Sequence, residues 1–527
     1  MRERHVVVLG GGITGLAAAF RLRKLARDGD VPLRISVFEA DNRFGGKIST
    51  YQTEKYTLEL GPDSIFTPKL RGISLLDELN LTEQTVPVNP SKTFVMRHSQ
   101  LHPLPPGVSS GIPTDFRAMA TTKLLSMPGK IRALKDYLVP GEPLAGDVAI
   151  GKFLRDRLGD EVVDVLAAPL LAGIHAADID KLSLDATMPM LRQMYAESRS
   201  LMRGMMAAQA KRASAGTGAG SGSAGSGSTA PGGAGPSANP DASAKKSSVF
   251  VSFQGGLQSL IDRLVESLSQ DAQLVTDAKA LSVRTKDEGG YDVIVSVKGG
   301  QPSHVSADAV VVTLPAFQAA DVLSDLPIDD SLLRQVRYVS TGTVLLGYDQ
   351  EDVASYPQSG AQSGAQSGQG GAEGTMGSGS KIPGSGFLVP RGETVSMTAC
   401  TVVSSKWPHA VRGNEKVFRC YVGRDGQEEI LEADDEWILQ RVTADLAKLD
   451  DSLNKPTLRF ITRWPSAMPQ YDVGHLDRLN KLDQQIQQCP GVSLAGAAYR
   501  GMGIPDCIRS ADTAAAKTME FLANQSV

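Results

Sequence analysis

Cysteine, aromatic residues, surplus charge and long apolar runs are all scarce in this chain of 527 residues. Its cysteines, Cys400, Cys420, Cys489 and Cys507, form no C-x-x-C pair and have no metal-ligand spacing with the histidines, so the sequence predicts neither a disulfide framework nor a metal site. The formal net charge of -4 gives no reason to expect nucleic acid as a partner. The longest apolar stretch, residues 165–174, is too short to span a bilayer, so no transmembrane segment is expected.

The first twenty residues superficially resemble a secretory signal, because two arginines precede an apolar stretch that ends in three alanines. The letters GGGITG interrupt what would have to be an apolar helix, and a nucleotide-binding motif explains them better. We therefore expect a cytoplasmic protein, which also suits the unpaired cysteines. The sequence leaves open the oligomeric state, peripheral contact with a membrane, and a partner enzyme that receives the product.

Two segments have a composition that cannot support a core. Residues 213–248 are almost entirely Gly, Ser, Ala and Pro, and residues 357–386 are rich in Gly, Ser and Gln. Neither can bury enough apolar surface to offset the entropy of its chain, so both are predicted to be flexible insertions. Because the cost of closing a loop grows only slowly with its length, they are expected to interrupt the fold without dividing it.

The first forty residues predict a βαβ unit. An apolar run at 5–9 is followed by a helical pattern that Gly29 closes, and then by a second strand in the letters LRISVFE. Such a unit implies a parallel sheet, so the predicted fold class is mixed α/β. From about residue 70 to 206 the pattern is mostly helical. A helix and a strand-rich stretch follow to about residue 463, and the chain ends on a strand, a glycine-rich turn and a final helix.

A glycine fingerprint lies between the first strand and the first helix. Gly10 permits a tight turn, Gly12 lets the backbone approach a pyrophosphate at the helix N-terminus, and Gly15 allows the helix to pack closely on the strand. Glu39 ends the second strand, where a carboxylate can accept the hydroxyls of an adenosine ribose. The strand, helix and acid together predict a dinucleotide site, although the fingerprint alone does not separate FAD from NAD.

The letters DNRFGGKI at 41–48 resemble the R-x-G-G extension of flavoproteins in the amine oxidase and phytoene desaturase superfamily. ELGPDS at 59–64 resembles the next flavin-contacting turn of the same proteins. GMGIPDCI at 501–508 resembles the flavin-facing motif of bacterial coproporphyrinogen and protoporphyrinogen oxidases of the oxygen-dependent, FAD-containing type. GFLVPR at 386–391 and the stretch at 463–479 are similar to that family too, so the resemblance covers nearly the whole chain apart from the two insertions.

The resemblance implies a Rossmann-like FAD-binding domain, a strand-rich substrate domain and a helical domain. The implied division is an FAD-binding domain in three parts (1–66, 249–313 and 476–527), a helical substrate-facing or membrane-facing domain (67–206), an insertion (207–248) and a substrate-binding domain (314–475) with the insertion 357–386. The implied contacts to non-covalently bound FAD are Gly10, Gly11, Gly12, Ile13, Thr14, Gly15, Glu39, Ala40, Arg43, Gly46, Lys47, Gly61, Pro62, Asp63, Ser64, Ala280, Trp464, Met502, Gly503 and Ile504.

The activity that the resemblance implies is the oxidation of coproporphyrinogen III to coproporphyrin III by molecular oxygen, with hydrogen peroxide as co-product, in haem biosynthesis. The flavin accepts the hydride, so no catalytic side chain is expected. The protein must still supply cations for the substrate's propionates. Lys69 and Arg71, which follow the ELGPDS turn, are the candidate substrate-binding residues.

Three alternatives remain at this stage. Protoporphyrinogen IX is the nearest alternative substrate; coproporphyrinogen is favoured because its four carboxylates make it more water-soluble, which suits a chain without a spanning helix. An amine oxidase or carotenoid desaturase would share the fold and the FAD, but the covalent-flavin cysteine motif of monoamine oxidases is not visible. A non-catalytic flavoprotein scaffold would use the insertions to bind partners.

Overall fold

The computed structural model describes residues 2–109, 111–217, 248–349 and 382–525. The strands, in chain order, are β1 Arg4–Leu9, β2 Leu33–Phe38, β3 Thr50–Gln52, β4 Thr57–Glu59, β5 Ile65–Phe66, β6 Thr85–Pro87, β7 Thr93–Arg97, β8 Gln100–Pro103, β9 Val108–Ser109, β10 Ile112–Pro113, β11 Phe250–Phe253, β12 Ala272–Val275, β13 Ala278–Thr285, β14 Tyr291–Val297, β15 Ser303–Ala307, β16 Ala309–Val312, β17 Tyr338–Tyr348, β18 Gly386–Leu388, β19 Ala399–Val402, β20 Lys416–Val422, β21 Leu458–Pro469 and β22 Val492–Leu494. The α-helices are α1 Ile13–Asp28, α2 Leu75–Glu78, α3 Phe116–Thr121, α4 Met127–Leu138, α5 Ile150–Leu158, α6 Asp160–Val162, α7 Ala168–His175, α8 Leu184–Thr187, α9 Pro189–Ser198, α10 Leu201–Thr217, α11 Gln258–Leu268, α12 Ala316–Val322, α13 Ser331–Arg334, α14 Val403–Lys406, α15 Asp435–Leu449, α16 His475–Ile486 and α17 Ile504–Asn524.

A parallel sheet carries the predicted βαβ unit and confirms the mixed α/β class. Its strand order is β12-β2-β1-β16-β22, so it draws on three distant parts of the chain. Successive side chains of β1 point to opposite faces: Val6 and Val8 pack with α1, α11 and α17, whereas Val7 and Leu9 pack with β13–β15, α12 and α16. Both faces are buried, which is why β1 is a continuous apolar run.

A seven-stranded sheet, ordered β21-β17-β20-β19-β18-β7-β8, forms a second layer on which α15 packs. The prediction that residues 70 to 206 are mostly helical is wrong at β7 and β8, which belong to this sheet. The physical reason is the turn at His98 and Ser99, which have φ of 52° and 59°. Two consecutive residues with positive φ form the tight turn that hairpins prefer.

Apart from the short strands β6, β9 and β10, the remainder of this region forms a helical layer around its own core. Helices α3 to α10 bury apolar side chains such as Phe153, Leu154 and Leu166 in one cluster. Among the helices that the structure describes, none has the length and apolar character needed to cross a membrane.

The two predicted insertions fall mostly outside the described residues, which omit 218–247 and 350–381. At their edges the structure corrects the predicted boundaries. Helix α10 continues to Thr217, beyond the predicted start at 213. Ile382 is 1% exposed in the core beneath the seven-stranded sheet, and Gly386 pairs with Thr401 as β18 begins, so residues 382–386 are packed structure because an apolar side chain and a strand anchor them.

Candidate cofactor and substrate site

The glycine turn after β1 leaves open space at the start of α1. Gly10 has φ of 103°, and a Cβ on Gly15 would lie 1.8 Å from the Gly10 carbonyl oxygen, so both positions require glycine. Gly12 caps α1 without any side-chain hydrogen bond, and a Cβ there would meet nothing within 4 Å. The first turn, which contains Ile13 and Thr14, therefore presents N–H groups without helical partners to open space.

Glu39 lies directly after β2 and is nearly buried beside this turn. Its Oε2 accepts a hydrogen bond from the Gly11 N–H at 2.6 Å, and its Oε1 accepts one from the Asp41 N–H at 2.9 Å. Burial raises the pKa of this carboxyl, and the backbone hydrogen bonds, including one from Ala40, oppose the rise. The carboxylate is thus fixed by the backbone, and its remaining lone pairs are available to ribose hydroxyls.

Strands β12 and β13 bring Ala280 to the same end of the sheet. The Glu39 N–H donates to the Val275 carbonyl at 2.9 Å, and the Ala278 N–H donates to the Glu39 carbonyl at 2.7 Å. Ala280 is two residues beyond Ala278 on β13 and so shares its face. The structure therefore joins the start of β13 to Glu39, and Ala280 follows two residues further along that strand.

The loop at 41–48 lies over the glycine turn. A Cβ on Gly46 would lie 3.4 Å from the Gly12 Cα, which places the two backbones in contact. Arg43, one of the predicted FAD contacts, uses its side chain inside this loop. Its guanidinium donates to the carbonyl groups of Phe44, Gly46 and Ile48.

Lys47 lies between the glycine turn and the ELGPDS turn, and the open space beside these turns is called the cleft below. Its side chain is exposed to solvent, yet desolvation by the surrounding protein lowers its pKa, with the Cys507 thiol opposing that shift. Its carbonyl oxygen would lie 1.8 Å from a Cβ on Gly61. Only glycine therefore permits the ELGPDS turn to approach this segment.

Side chains that are distant in the sequence hold the turn that contains Gly61 and Pro62. The Trp464 Nε1–H donates to the Leu60 carbonyl at 2.9 Å, and the Arg419 Nη2 donates to the Gly61 carbonyl. A Cβ on Gly61 would lie 3.6 Å from the indole ring of Trp464, so the ring is in contact with the turn. The structure thus places Trp464 beside the ELGPDS turn.

Asp63 in this turn forms an ion pair with Lys406. The Lys406 Nζ lies 2.6 Å from the Asp63 Oδ2, and the Ser64 hydroxyl donates to the Asp63 Oδ1 at 2.8 Å. Burial opposes the ionisation of Asp63, but Lys406 and Arg419 outweigh it and hold the pKa of this carboxyl well below its usual range. The Asp63 side chain is therefore directed toward Lys406.

The glycine-rich C-terminal turn forms another wall of the cleft. Helix α17 begins at Ile504 with Gly503 as its N-cap, and the Gly503 N–H donates to the Asp506 carboxylate at 3.3 Å. Gly503 is exposed and Met502 is partly buried. The Gly501 N–H donates to the Tyr471 hydroxyl at 2.8 Å, which supports the turn from below.

The two glycine turns from opposite ends of the chain meet at Cys507. Burial raises the pKa of its thiol to about 11, and a hydrogen bond with Thr14 opposes the rise. Thr14 lies in the first turn of α1 and Cys507 in the first turn of α17. The structure thus brings both helix N-termini to one cleft, where their dipoles favour negative charge.

Lys69 lies at this cleft and already has an acidic partner. Its Nζ is 2.7 Å from the Asp506 Oδ2, and its side chain is 39% exposed. Burial lowers the pKa of His175, at the end of α7, to about 4, and the nearby charge of Lys69 adds to that shift. Arg71 caps the short 3-10 turn Thr67–Leu70 and is exposed.

Sequence reasoning missed the side chains that hold the predicted residues in place. Asp506 was visible within the GMGIPDCI motif, where an acid at the third helical position signals a cap. Lys406 and Arg419 lie far from any motif and gave no signal. In the ranges 2–109, 111–217, 248–349 and 382–525 no group of acidic, histidine or cysteine side chains could hold a metal ion.

Comparisons with known proteins find relatives along nearly the whole chain. The profile of the family described as "Flavin containing amine oxidoreductase" matches residues 13–519. The chain is 34% identical to the coproporphyrinogen III oxidase of Bacillus subtilis over 99% of both chains, and 30% identical to that of Staphylococcus aureus over 98% of this chain and 100% of the relative. A crystal structure from Exiguobacterium sp. 255-15, provisionally named a protoporphyrinogen oxidase, superposes with a TM-score of 0.78 at 32% identity, covering 99% of this chain and 100% of that one.

Proposed function

This chain belongs to the flavin containing amine oxidoreductase family, and from that premise we propose that it is an FAD enzyme that oxidises coproporphyrinogen III to coproporphyrin III with molecular oxygen. The observation that carries the proposal is the convergence of three turns, at Gly12, Gly61 and Gly503, on one cleft. Full-length similarity to two coproporphyrinogen III oxidases supports the choice of substrate.

The residues of the glycine turn and of Glu39 would hold the dinucleotide half of FAD. The open space at Gly12 and the uncapped start of α1 suit a pyrophosphate. The Glu39 carboxylate, already fixed by two backbone donors, would accept from the ribose. We propose non-covalent attachment, because Cys507 is 5% exposed, has its pKa raised to about 11 and is thereby kept as an unreactive thiol.

The remaining residues of the cleft would orient the porphyrinogen. Bound FAD supplies the hydride acceptor, and oxygen is the terminal oxidant, so each two-electron oxidation consumes one O₂ and yields one H₂O₂. The chain's own contribution is position and charge: Lys69 stands at the rim of the cleft, where a propionate can approach it without losing all its water. The four carboxylates of this substrate also suit an enzyme of the cytoplasm.

The deciding experiment measures peroxide release with coproporphyrinogen III and with protoporphyrinogen IX at equal enzyme and oxygen. We expect the higher kcat/KM with coproporphyrinogen III and coproporphyrin III as the product identified by mass. Anaerobic bleaching of the flavin band by a porphyrinogen, and not by amines or carotenoid precursors, separates this activity from the other activities of the family. A flavin that no porphyrinogen reduces would contradict the proposal.

Protoporphyrinogen oxidation is the second candidate, because the structural neighbour from Exiguobacterium carries that name. The same two-substrate comparison distinguishes them. A higher kcat/KM with protoporphyrinogen IX would assign the chain to the second candidate while leaving the flavin site unchanged.

A further inference from the structure

A small cavity lined by both polar and apolar side chains lies beside Asp63 of the Gly61–Ser64 turn. Its volume is about 20 Å³, which is room for about one or two water-sized groups. Its walls come from β4, from β11 and the loop after it, from β17, from the segment around α14 and from β20. The polar and charged side chains in its lining include Thr57, Glu59, Asp63, Trp407, His409 and Arg419.

Several buried hydrogen-bonding atoms at this cavity have no partner among the residues that the structure describes. They are the Thr57 Oγ1, the Trp407 Nε1, the His409 Nδ1 and the Arg419 Nε and Nη1. Trp407 is 4% exposed and Arg419 is 3% exposed. Each buried donor without a hydrogen-bond partner lowers the stability of the fold by about 1–3 kcal/mol. Because several lie together here, we infer that a bound ligand satisfies them.

The chemistry of these atoms identifies the kind of ligand. The Trp407 Nε1 and the two free nitrogens of Arg419 can only donate. One water molecule accepts two hydrogen bonds through its lone pairs, so three obligate donors need either two water molecules or one acceptor of higher capacity. A monatomic anion accepts from all of them at once, and the Thr57 hydroxyl can rotate to donate as well.

The charges around the cavity favour an anion when Glu59 is protonated. Lys406 and Asp63 neutralise each other across 2.6 Å, and burial lowers the pKa of His409, so that it is neutral at physiological pH. Burial raises the pKa of Glu59 to about 7, opposed by hydrogen bonds from the Leu257 N–H and the Thr50 hydroxyl. The charge of Arg419 is then left without a counter-charge.

The cavity is separate from the predicted cofactor cleft. Apart from Asp63, whose side chain turns back toward Lys406, none of the predicted flavin contacts lines it. Arg419 connects the two regions, because its Nη2 donates to the Gly61 carbonyl while its Nε and Nη1 have no partner among the described residues. A ligand on these free nitrogens would therefore fix the guanidinium that supports the flavin-contacting turn.

We propose that this cavity binds a monatomic anion of halide size, held by the side chains of Arg419, Trp407 and Thr57. The ligand is structural: it satisfies the buried donors and holds Arg419 against the Gly61 carbonyl. Because a protonated Glu59 leaves the cavity more positive, anion affinity decreases as pH rises through about 7.

Crystals of the FAD-bound enzyme soaked in sodium bromide test the site directly. We expect an anomalous bromine peak inside the cavity, within hydrogen-bonding distance of the Arg419 and Trp407 nitrogens. A cavity that shows only water density, with no anomalous peak in crystals whose surface sites carry bromide, would overturn the proposal and make the cavity a hydration site.

Thermal unfolding of the holoenzyme in sodium bromide and in sodium gluconate, at equal ionic strength, tests the site in solution. We expect bromide to raise the Tm by roughly 1–2 °C at pH 6 and by less at pH 8.

Thr57→Val, which keeps the side-chain shape, and Trp407→Phe, which keeps an aromatic ring, should weaken this response. Trp437→Phe, at a residue 49% exposed on α15, is the matched control and should retain it. An equal bromide response in all four proteins would contradict the proposal, even where Trp407→Phe proves too unstable to measure, because Thr57→Val remains informative.

Discussion

The glycine turn at 10–15 and the ELGPDS turn at 59–64 line the same cleft, but they are held in different ways. The first is stabilised by its own backbone: Gly15 packs on the Gly10 carbonyl, and no side chain caps the helix. The second is held from outside, by Trp464, Lys406 and Arg419, which come from β21, α14 and β20. One site can thus combine a turn that neighbouring residues in the sequence hold in place with a turn that depends on side chains from distant parts of the chain.

The two turns should therefore respond differently to substitution. In the glycine turn the vulnerable atoms belong to the backbone and to the empty space beside it, so a change there should affect the ligand more than the fold. In the ELGPDS turn the vulnerable groups are buried charges, so a change should affect the stability of the protein and only then the cofactor.

Gly12→Val should give the largest effect, which is the loss of bound FAD and with it all turnover. Gly12 has φ of -72°, which any residue adopts, and its Cβ would meet no protein atom within 4 Å. The valine side chain would fill the space into which we place the pyrophosphate. Flavin absorbance after purification measures the loss, and the Tm of the variant should match that of the parent apoprotein.

Gly15→Val is the informative contrast within the same turn. A Cβ there would lie 1.8 Å from the Gly10 carbonyl oxygen, so the variant should fail to fold even without cofactor. If Gly12→Val retained a full complement of FAD, the assignment of this turn to the pyrophosphate would be wrong.

Lys406→Met should destabilise the enzyme by about 3 kcal/mol, because it leaves the partly buried Asp63 carboxylate without its partner. Chemical denaturation of parent and variant measures this difference. The matched control is Lys286→Met: Lys286 pairs with Glu288 at 3.1 Å, but the Glu288 side chain is 74% exposed, so its carboxylate stays in water and the loss should cost much less. Equal costs for the two variants would show that the ELGPDS turn does not depend on its distant ion pair.

The difference between the two turns also sets how much of the molecule the sequence could predict. The parallel sheet, the glycine turn, Glu39 and the C-terminal turn follow from patterns that are local in the chain, and the structure confirms the fold that they imply. Lys406 and Arg419 were not predictable, because the carboxylate and the carbonyl group that they bind lie more than 300 positions away in the sequence. The hairpin of β7 and β8 was missed for a related reason. It joins the seven-stranded sheet by pairing with β18, which comes after both the helical layer and the second insertion in the chain.

Glu59→Gln should remove one component of the pH dependence of stability. The native pKa of Glu59 is about 7, raised from 4.5 by burial, so the folded protein binds this proton more tightly than the unfolded chain does. The stability that it contributes is complete below about pH 4.5 and is lost as pH rises to about 7. The parent should therefore lose on the order of 2 kcal/mol across that window relative to the variant. Unfolding free energies of the two proteins at pH 5 and pH 8 test this, and parallel profiles would contradict the raised pKa.

Lys69→Ala should give the smallest effect. It tests whether Lys69 binds a propionate of the substrate or only supports the turn through Asp506. Lys69 is 39% exposed and pairs with Asp506, which also caps α17 and lies 3.5 Å from Arg509. Since Arg509 can partly replace the lost charge, the fold should tolerate the change. We expect KM for coproporphyrinogen III to rise by an amount equivalent to about 1 kcal/mol or less, and KM for protoporphyrinogen IX to rise by a smaller factor, because only the former carries the extra propionates.

Lys24→Ala is the matched control, since Lys24 forms a similarly exposed pair with Glu78 near the far end of α1 and should leave both KM values unchanged. If Lys69→Ala instead lowered kcat equally for both substrates at constant KM, Lys69 would act through Asp506 on the Gly503 turn, and its place as a propionate contact would be lost.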